Sequence, residues 1–150
     1  MITIKKMNIL DCEENIIVHQ VNIQGIMGGG LARQLANQYQ NLEKEYSKFC
    51  KLNNNDYNRL KGKVFKIMIQ GKMIMNIFTQ KQNFDTDYEM LKIALEEVKK
   101  YAKSFNLNVA IPHGIGCGIA NGNWNKVYKI IEEVFDDYEV TLYKLEDEKK

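Results

Sequence analysis

The chain is poor in several residue types, and each shortage excludes something. It has one proline, two histidines and three cysteines in 150 residues. Cys12, Cys50 and Cys117 form no close pair, and an odd count points to reduced thiols in a cytosol-like compartment. With only His19 and His113 beside them, a structural zinc site is not expected, and no other metal or cofactor is called for. No apolar run approaches the roughly eighteen residues of a membrane span. The N-terminus turns polar after Ile4, too early for a signal peptide. The expected location is therefore cytoplasmic, without a membrane partner. Charge of one sign is also lacking: the net charge is +2, so a basic coat for nucleic acid is not expected. Aromatic and basic residues do not interleave as they do in single-strand binders.

What is present is the composition of a folded protein. Apolar residues make up 45% and charged residues 27%, which sets disorder aside. A length of 150 residues suits one domain, 1–150, with a core large enough to need no staple.

Apolar periodicity alternates between two patterns. Residues Ile2 to Leu10 read as a strand, as do the β-branched runs Ile16 to Val21 and Asn108 to Pro112. Lys63 to Gln70 and Met73 to Phe78 read as a hairpin about Gly71. Leu31, Ala32, Leu35, Ala36 and Tyr39 fall at helical spacing. Tyr88, Leu91, Leu95, Val98, Ala102 and Phe105 form the strongest helical stripe, with Thr86 or Asp87 as its cap. Trp124 to Phe135 reads as a last helix and Val140 to Leu145 as a last strand. Asn41 to Leu60 is polar and Asn-rich, without a clear assignment, and the tail Glu146 to Lys150 is charged and expected to fray. The alternation implies an α/β protein with its sheet covered by helices.

Two strands in this reading run into glycine-rich loops that open helices. The first loop is Asn22 to Gly30. The second runs from His113 through Gly114, Gly116 and Gly118 to Trp124. Glycine lets the backbone approach a ligand closely, and free N–H groups at a helix start attract phosphate. Open α/β sheets bind ligands beyond the carboxyl ends of their strands, so two such loops could hold a diphosphate. Neither loop is a P-loop, since no Gly-Lys-Ser/Thr follows, and neither has the dinucleotide spacing.

Single residues near the loops have two readings each. His113 suits a base or substrate contact, or a packed side chain. Cys117 has no evident base partner and reads as a small residue for loop packing. Lys81 reads as a phosphate contact or a solvated side chain, Asp85 and Asp87 as carboxylates near the ligand, with Asp87 equally a helix cap. Trp124 and Tyr88 lie on helical stripes as core residues, and His19 reads as structural.

The residues of both loops resemble a macrodomain. Asn22, Gly25, Met27, Gly28, Gly30, Leu31 and Ala32 are similar to the family's first loop. Ile111-Pro112-His113-Gly114-Ile115-Gly116-Cys117-Gly118-Ile119-Ala120 is similar to its diphosphate loop. Asn76 to Gln80 and Thr86 to Leu91 resemble a segment of the small stand-alone subclass, the ADP-ribose-1''-phosphate phosphatase-like group, which includes phage-type proteins. The resemblance covers nearly the whole chain, most poorly at 41–60.

The resemblance implies a three-layer α/β/α sandwich around a mixed, mostly parallel six-stranded sheet. It implies a cleft for ADP-ribose or a derivative, and hydrolysis of a bond at the distal ribose. For a phage-encoded chain the location would be the host cytosol. Ile115, Gly116, Cys117, Gly118, Ile119 and Ala120 would wrap the diphosphate. Gly28, Gly29, Gly30 and Leu31 would face the distal ribose, with Asn22 on its hydroxyls and Gln20 among the binding residues. Asp11 stands where the family's adenine contact lies. Gln80, His113 or Asn123 would position water.

The terminal ADP-ribose glycohydrolase type uses a Lys and an Asp where this chain has Gln80 and Ala120. Phosphatase-like relatives often have an Asp at the position of Asn123. A non-catalytic module that sequesters an ADP-ribose-derived signal is the alternative.

Overall fold

The computed structural model describes residues 1–118 and 120–145; Ile119 and the tail 146–150 lie outside the described residues. In chain order the elements are β1 (Ile2–Lys5), β2 (Ile16–Gln20), α1 (Gly30–Gln38), α2 (Leu42–Leu52), α3 (Tyr57–Leu60), β3 (Val64–Ile69), β4 (Lys72–Ile77), α4 (Tyr88–Phe105), β5 (Val109–Pro112), α5 (Trp124–Val134) and β6 (Val140–Tyr143). The strands form one sheet in the order β1-β6-β5-β2-β4-β3. All neighbours are parallel except β3, which pairs antiparallel with β4 through the hairpin at Gln70 and Gly71. The result is the expected α/β/α sandwich on a mixed, mostly parallel sheet.

Strand alternation sorts the core into two halves. Ile16 and Val18 of β2 and Met73 and Met75 of β4 face α4 and α5, meeting Leu91, Leu95, Val98, Val127 and Ile131. Ile17 and Val21 face the other way, toward Leu35 of α1 and Leu42, Tyr46 and Cys50 of α2. Asp87 caps α4, as one of its two readings had it: its carboxylate accepts from Met90 N and from the Tyr57 hydroxyl at 2.6 Å. Tyr88 and Trp124 are half-buried against the α4–α5 core. The three cysteines are free thiols. Among the described residues no helix is long and apolar enough to cross a membrane.

One expectation is corrected, and one segment left open gains its structure. The first strand stops at Lys5, because its only neighbour, β6, ends at the paired Tyr143. Ile9–Asp11 is instead a short 3-10 turn capped by Asn8, whose side chain accepts from Leu10 N. The polar segment 41–60 holds α2 and α3. Leu42, Tyr46 and Cys50 recur every four residues and are fully buried, and Phe49 stacks on Phe65 at 4.7 Å. Its many Asn and Lys residues occupy the outward face and the turn, where Asn54 and Asn55 take positive φ.

His19 on β2 is buried and fixed from below. Its Nε2 lies 2.6 Å from Asn76 Oδ1, while Asn76 Nδ2 donates to Phe65 O at 2.9 Å. Asn76 therefore accepts, so Nε2 carries a proton. Burial lowers its pKa to about 4, against a smaller opposing contribution from the Asn76 bond. An unfolded chain would take up a proton near pH 6.5 that the native state refuses until about pH 4. Stability is thus complete above pH 6.5 and falls as pH drops through that window, by about 3 kcal/mol. Urea unfolding between pH 7 and pH 4 checks this: the one-proton slope contributed by His19 disappears in His19→Gln, and its persistence would contradict the assignment.

Candidate functional site

The carboxyl ends of three adjacent parallel strands, β5, β2 and β4, deliver their loops to one edge of the sheet. There they enclose an open cleft of about 590 Å³. Asn22, Gln80 and His113 line it, as do Gln20, Gly28, Gly29, Gly30, Leu31, Ile115, Gly116, Gly118 and Ala120. Sequence reasoning therefore brought most of the predicted residues to one place.

Three described residues that were predicted for the site are not among those lining the cleft. Asp11 sits exposed on the 3-10 turn. Asn123 is the cap of α5: its side chain accepts from Asn125 N and Lys126 N, which commits it to the helix and leaves it outside the cleft wall. Cys117 turns its thiol toward Ile115 O at 3.5 Å, so it serves loop packing. Ile119 lies outside the described residues.

The first loop is braced by α2. Tyr46 shares its hydroxyl proton between Asn22 O and Asn22 Oδ1, at 2.6 and 2.7 Å. Asn22 Oδ1 also accepts from Gln24 N, and Asn22 Nδ2 donates to Ile26 O. The Asn22 amide thus shapes the loop first and keeps one N–H for a ligand. The Glu43 carboxylate accepts from Met27 N at 2.7 Å and pairs with Arg33 at 3.3 Å. Asn55 donates to Ile23 O. Tyr46, Glu43 and Asn55 all come from the segment that carried no assignment in sequence. The i, i+4, i+8 recurrence of Leu42, Tyr46 and Cys50 was the signal available for it.

Gly29 caps α1 without any side-chain bond, and the first helical bond runs from Arg33 N to Gly29 O. The N–H groups of Gly30, Leu31 and Ala32 are therefore left without helical partners at the cleft wall. With the helix dipole they form a donor set for a negatively polarised group.

The second loop offers a second set, smaller than expected. Ile115 N donates to Pro112 O and Cys117 N to Gly114 O, so those two groups serve turns. The N–H groups of Gly116, Gly118 and Ala120 have no acceptor among the described residues. Thr86 secures this loop: its hydroxyl donates to Gly116 O at 2.6 Å, and its N–H donates to Ala120 O. Gln20 Nε2 donates to the Thr86 hydroxyl, and Gln20 Oε1 accepts from Thr79 at 2.6 Å. Glycine is required twice here. A Cβ on Gly116, at φ +75, would meet Thr86 Oγ1 at 2.8 Å, and one on Gly122 would meet Gly116 O at 2.4 Å. Thr79 and Thr86 were not singled out as site residues.

Among the described residues lining the cleft there is no Lys, Arg, Asp or Glu. Its titratable side chains are His19, His113 and Tyr46. Burial pushes the Tyr46 phenol well up. Burial, with Lys144 nearby adding to it, lowers the pKa of His113, whose ring packs on Trp124 at 4.4 Å. Both histidines are thus neutral near pH 7. Lys81 and Asp85 belong instead to a smaller polar hollow of about 220 Å³ beside the cleft. Among the described residues no group of three or more His, Cys, Asp or Glu could hold a metal ion.

No protein-family model matches the chain. Solved structures do. The macrodomain of Mycobacterium tuberculosis DarG is 26% identical and superposes with a TM-score of 0.83, over 95% of this chain and 97% of that one. The chain has the macrodomain fold. Its similarity extends to curated proteins. ADP-ribose glycohydrolase OARD1 of Bos taurus is 28% identical over 96% of this chain and 91% of its own length. The ADP-ribose 1''-phosphate phosphatase of Saccharomyces cerevisiae (strain YJM789) is 26% identical, over 96% of this chain and 98% of its own. This macrodomain is homologous to both.

Gly118 lines the cleft, and nothing lies within 4 Å of a Cβ placed on it. Gly118→Glu should therefore fold with an unchanged melting temperature while its carboxylate fills and repels the anion site. Calorimetric titration with ADP-ribose should show affinity lowered at least tenfold; full affinity in the variant would place the ligand elsewhere.

Proposed function

We propose that this macrodomain binds ADP-ribose or a derivative in the cleft and hydrolyses a bond at its distal ribose. The observation that carries the reading is the pair of unpartnered backbone N–H sets at one edge of the sheet. Gly116, Gly118 and Ala120 would hold the diphosphate, and Gly30 to Ala32 would face the distal ribose across the cleft. Asn22 would give its remaining N–H to a sugar hydroxyl. Asp11 is kept as a candidate adenine contact beyond the lined part of the cleft. The names of the two curated homologues, both acting on ADP-ribose derivatives, support the same substrate class.

The chemistry available is modest. Gln80 Nε2 is used in donating to Phe84 O at 3.0 Å, which leaves Gln80 Oε1 free to accept from an attacking water. His113 is the partly exposed titratable group of the cleft and, being neutral, can take that water's proton. The backbone donors would stabilise negative charge as it develops. The lack of a carboxylate or lysine among the described residues lining the cleft favours a second reading, a module that holds an ADP-ribose-derived nucleotide without turning it over.

Phosphorus NMR on ADP-ribose-1''-phosphate mixed with the protein separates these readings. The diphosphate lines are expected to shift and broaden, and growth of orthophosphate would mark cleavage at the distal ribose. Shifted lines with no product, here and with ADP-ribosylated substrates, would leave the binding module. Unshifted diphosphate lines would overturn both.

A further inference from the structure

Phe84 has a conformation and a position that the binding reading does not use. It adopts φ +71, the left-handed region that bulky side chains avoid. The segment around it is stitched to keep it there. Lys81 N donates to Asp85 O and Phe84 N to Lys81 O, both at 2.8 Å, while Gln80 and Thr86 bridge across the base. Gln80 Nε2 closes on Phe84 O. Phe84 is 37% exposed and lines the cleft, and its ring stacks on no other aromatic ring among the described residues. Of the exposed large apolar side chains, the other one lining the cleft is Ile26, on the first loop, 57% exposed. Strain maintained for an exposed aromatic ring is an outlier that points to a ligand contact.

We propose that Phe84 and Ile26 are apolar lips that select an uncharged, flat group attached to the distal ribose, in preference to a phosphate. The inference rests on the ADP-ribose reading and narrows its substrate class. Phe84 is bonded to Gln80, the residue placed beside the bond to be cut, so the group leaving the distal ribose meets the ring. A phosphomonoester there would bring nearly two negative charges at neutral pH. The cleft lining offers no lysine or arginine among the described residues, and Lys81 lines the neighbouring hollow. The N-terminus of α1 supplies about half a positive charge, too little for that load as well as the desolvation it entails. A flat, neutral group instead gains ring contact. Phe84 acts as a specificity-determining residue, separate from the groups that hold the diphosphate.

The test compares three probes by calorimetry: ADP-ribose, ADP-ribose-1''-phosphate, and ADP-ribose with a benzyl group on its 1''-oxygen. The benzyl compound is expected to bind about tenfold more tightly than the 1''-phosphate. In Phe84→Asn and Phe84→Ala that advantage should fall at least fivefold, while affinity for ADP-ribose changes less than threefold. Asn tolerates left-handed backbone, so Phe84→Asn should melt no lower than the wild type and separates lost contact from lost fold. A 1''-phosphate that binds as tightly as the benzyl compound, or a benzyl preference that survives both variants, overturns the proposal and leaves ADP-ribose binding standing. Failure of all three probes to bind overturns the binding reading, and this inference with it.

Discussion

The cleft depends on one run of hydrogen bonds that crosses the sheet edge. Thr79, just past β4, donates to Gln20 at the end of β2; Gln20 donates to Thr86; Thr86 donates to Gly116 in the loop after β5. The run joins the loops of three strands, so the second glycine loop is held at both its carbonyl and, through Ala120 O, its far end. Buried polar groups that are fully paired are rigid, and a rigid loop can keep its own N–H groups unpaired and aimed outward. The tight approach of Gly116 to Thr86, which admits no Cβ, is the steric counterpart of the same constraint.

Electrostatics in this cleft come from dipoles and not from ionised side chains. Two sets of backbone donors face the space, one at the start of α1 and one in the second loop, and no carboxylate is among the described residues lining the cleft. Preorganised N–H groups need no reorganisation when an anion arrives, and their bonds to a charged oxygen are stronger than neutral ones. Binding of this kind should depend weakly on pH near neutrality, since both cleft histidines are already uncharged. The first loop is rigid for a different reason: it is pinned from outside by Tyr46, Glu43 and Asn55 of the segment 41–60. That segment acts as a brace on the site.

Much of this was legible in the sequence. The β-branched run at Ile16 to Val18 and the stripe from Leu91 to Ala102 have the periods of a buried strand and an amphipathic helix, and they became β2 and α4. The two glycine loops were visible because glycine clusters followed strands and opened helices. Other features were not legible. The helix α2 was hidden by Glu and Lys on its solvent face and by the Asn-rich turn that follows it, although three buried residues kept its period. The first strand was drawn too long because its length is set by β6, its only partner in the sheet. Asn123 looked like a positioner of water beside the loop, yet capping of α5 uses its side chain. Phe84 escaped notice, and Thr86 was read only as a helix cap, because their roles come from a backbone angle and from contacts across the fold, neither of which is written in local spacing.

The central claim is that backbone N–H groups of the two loops hold the ligand, those of the second loop its diphosphate and those at the start of α1 its distal ribose. A proton–nitrogen correlation spectrum followed while ADP-ribose is added tests it most directly. The account predicts that the amides of Gly30, Leu31, Gly116 and Gly118 move furthest, well ahead of those of Lys81 and Asp85. Largest shifts at Lys81 and Asp85, or no movement in either glycine loop, would contradict it.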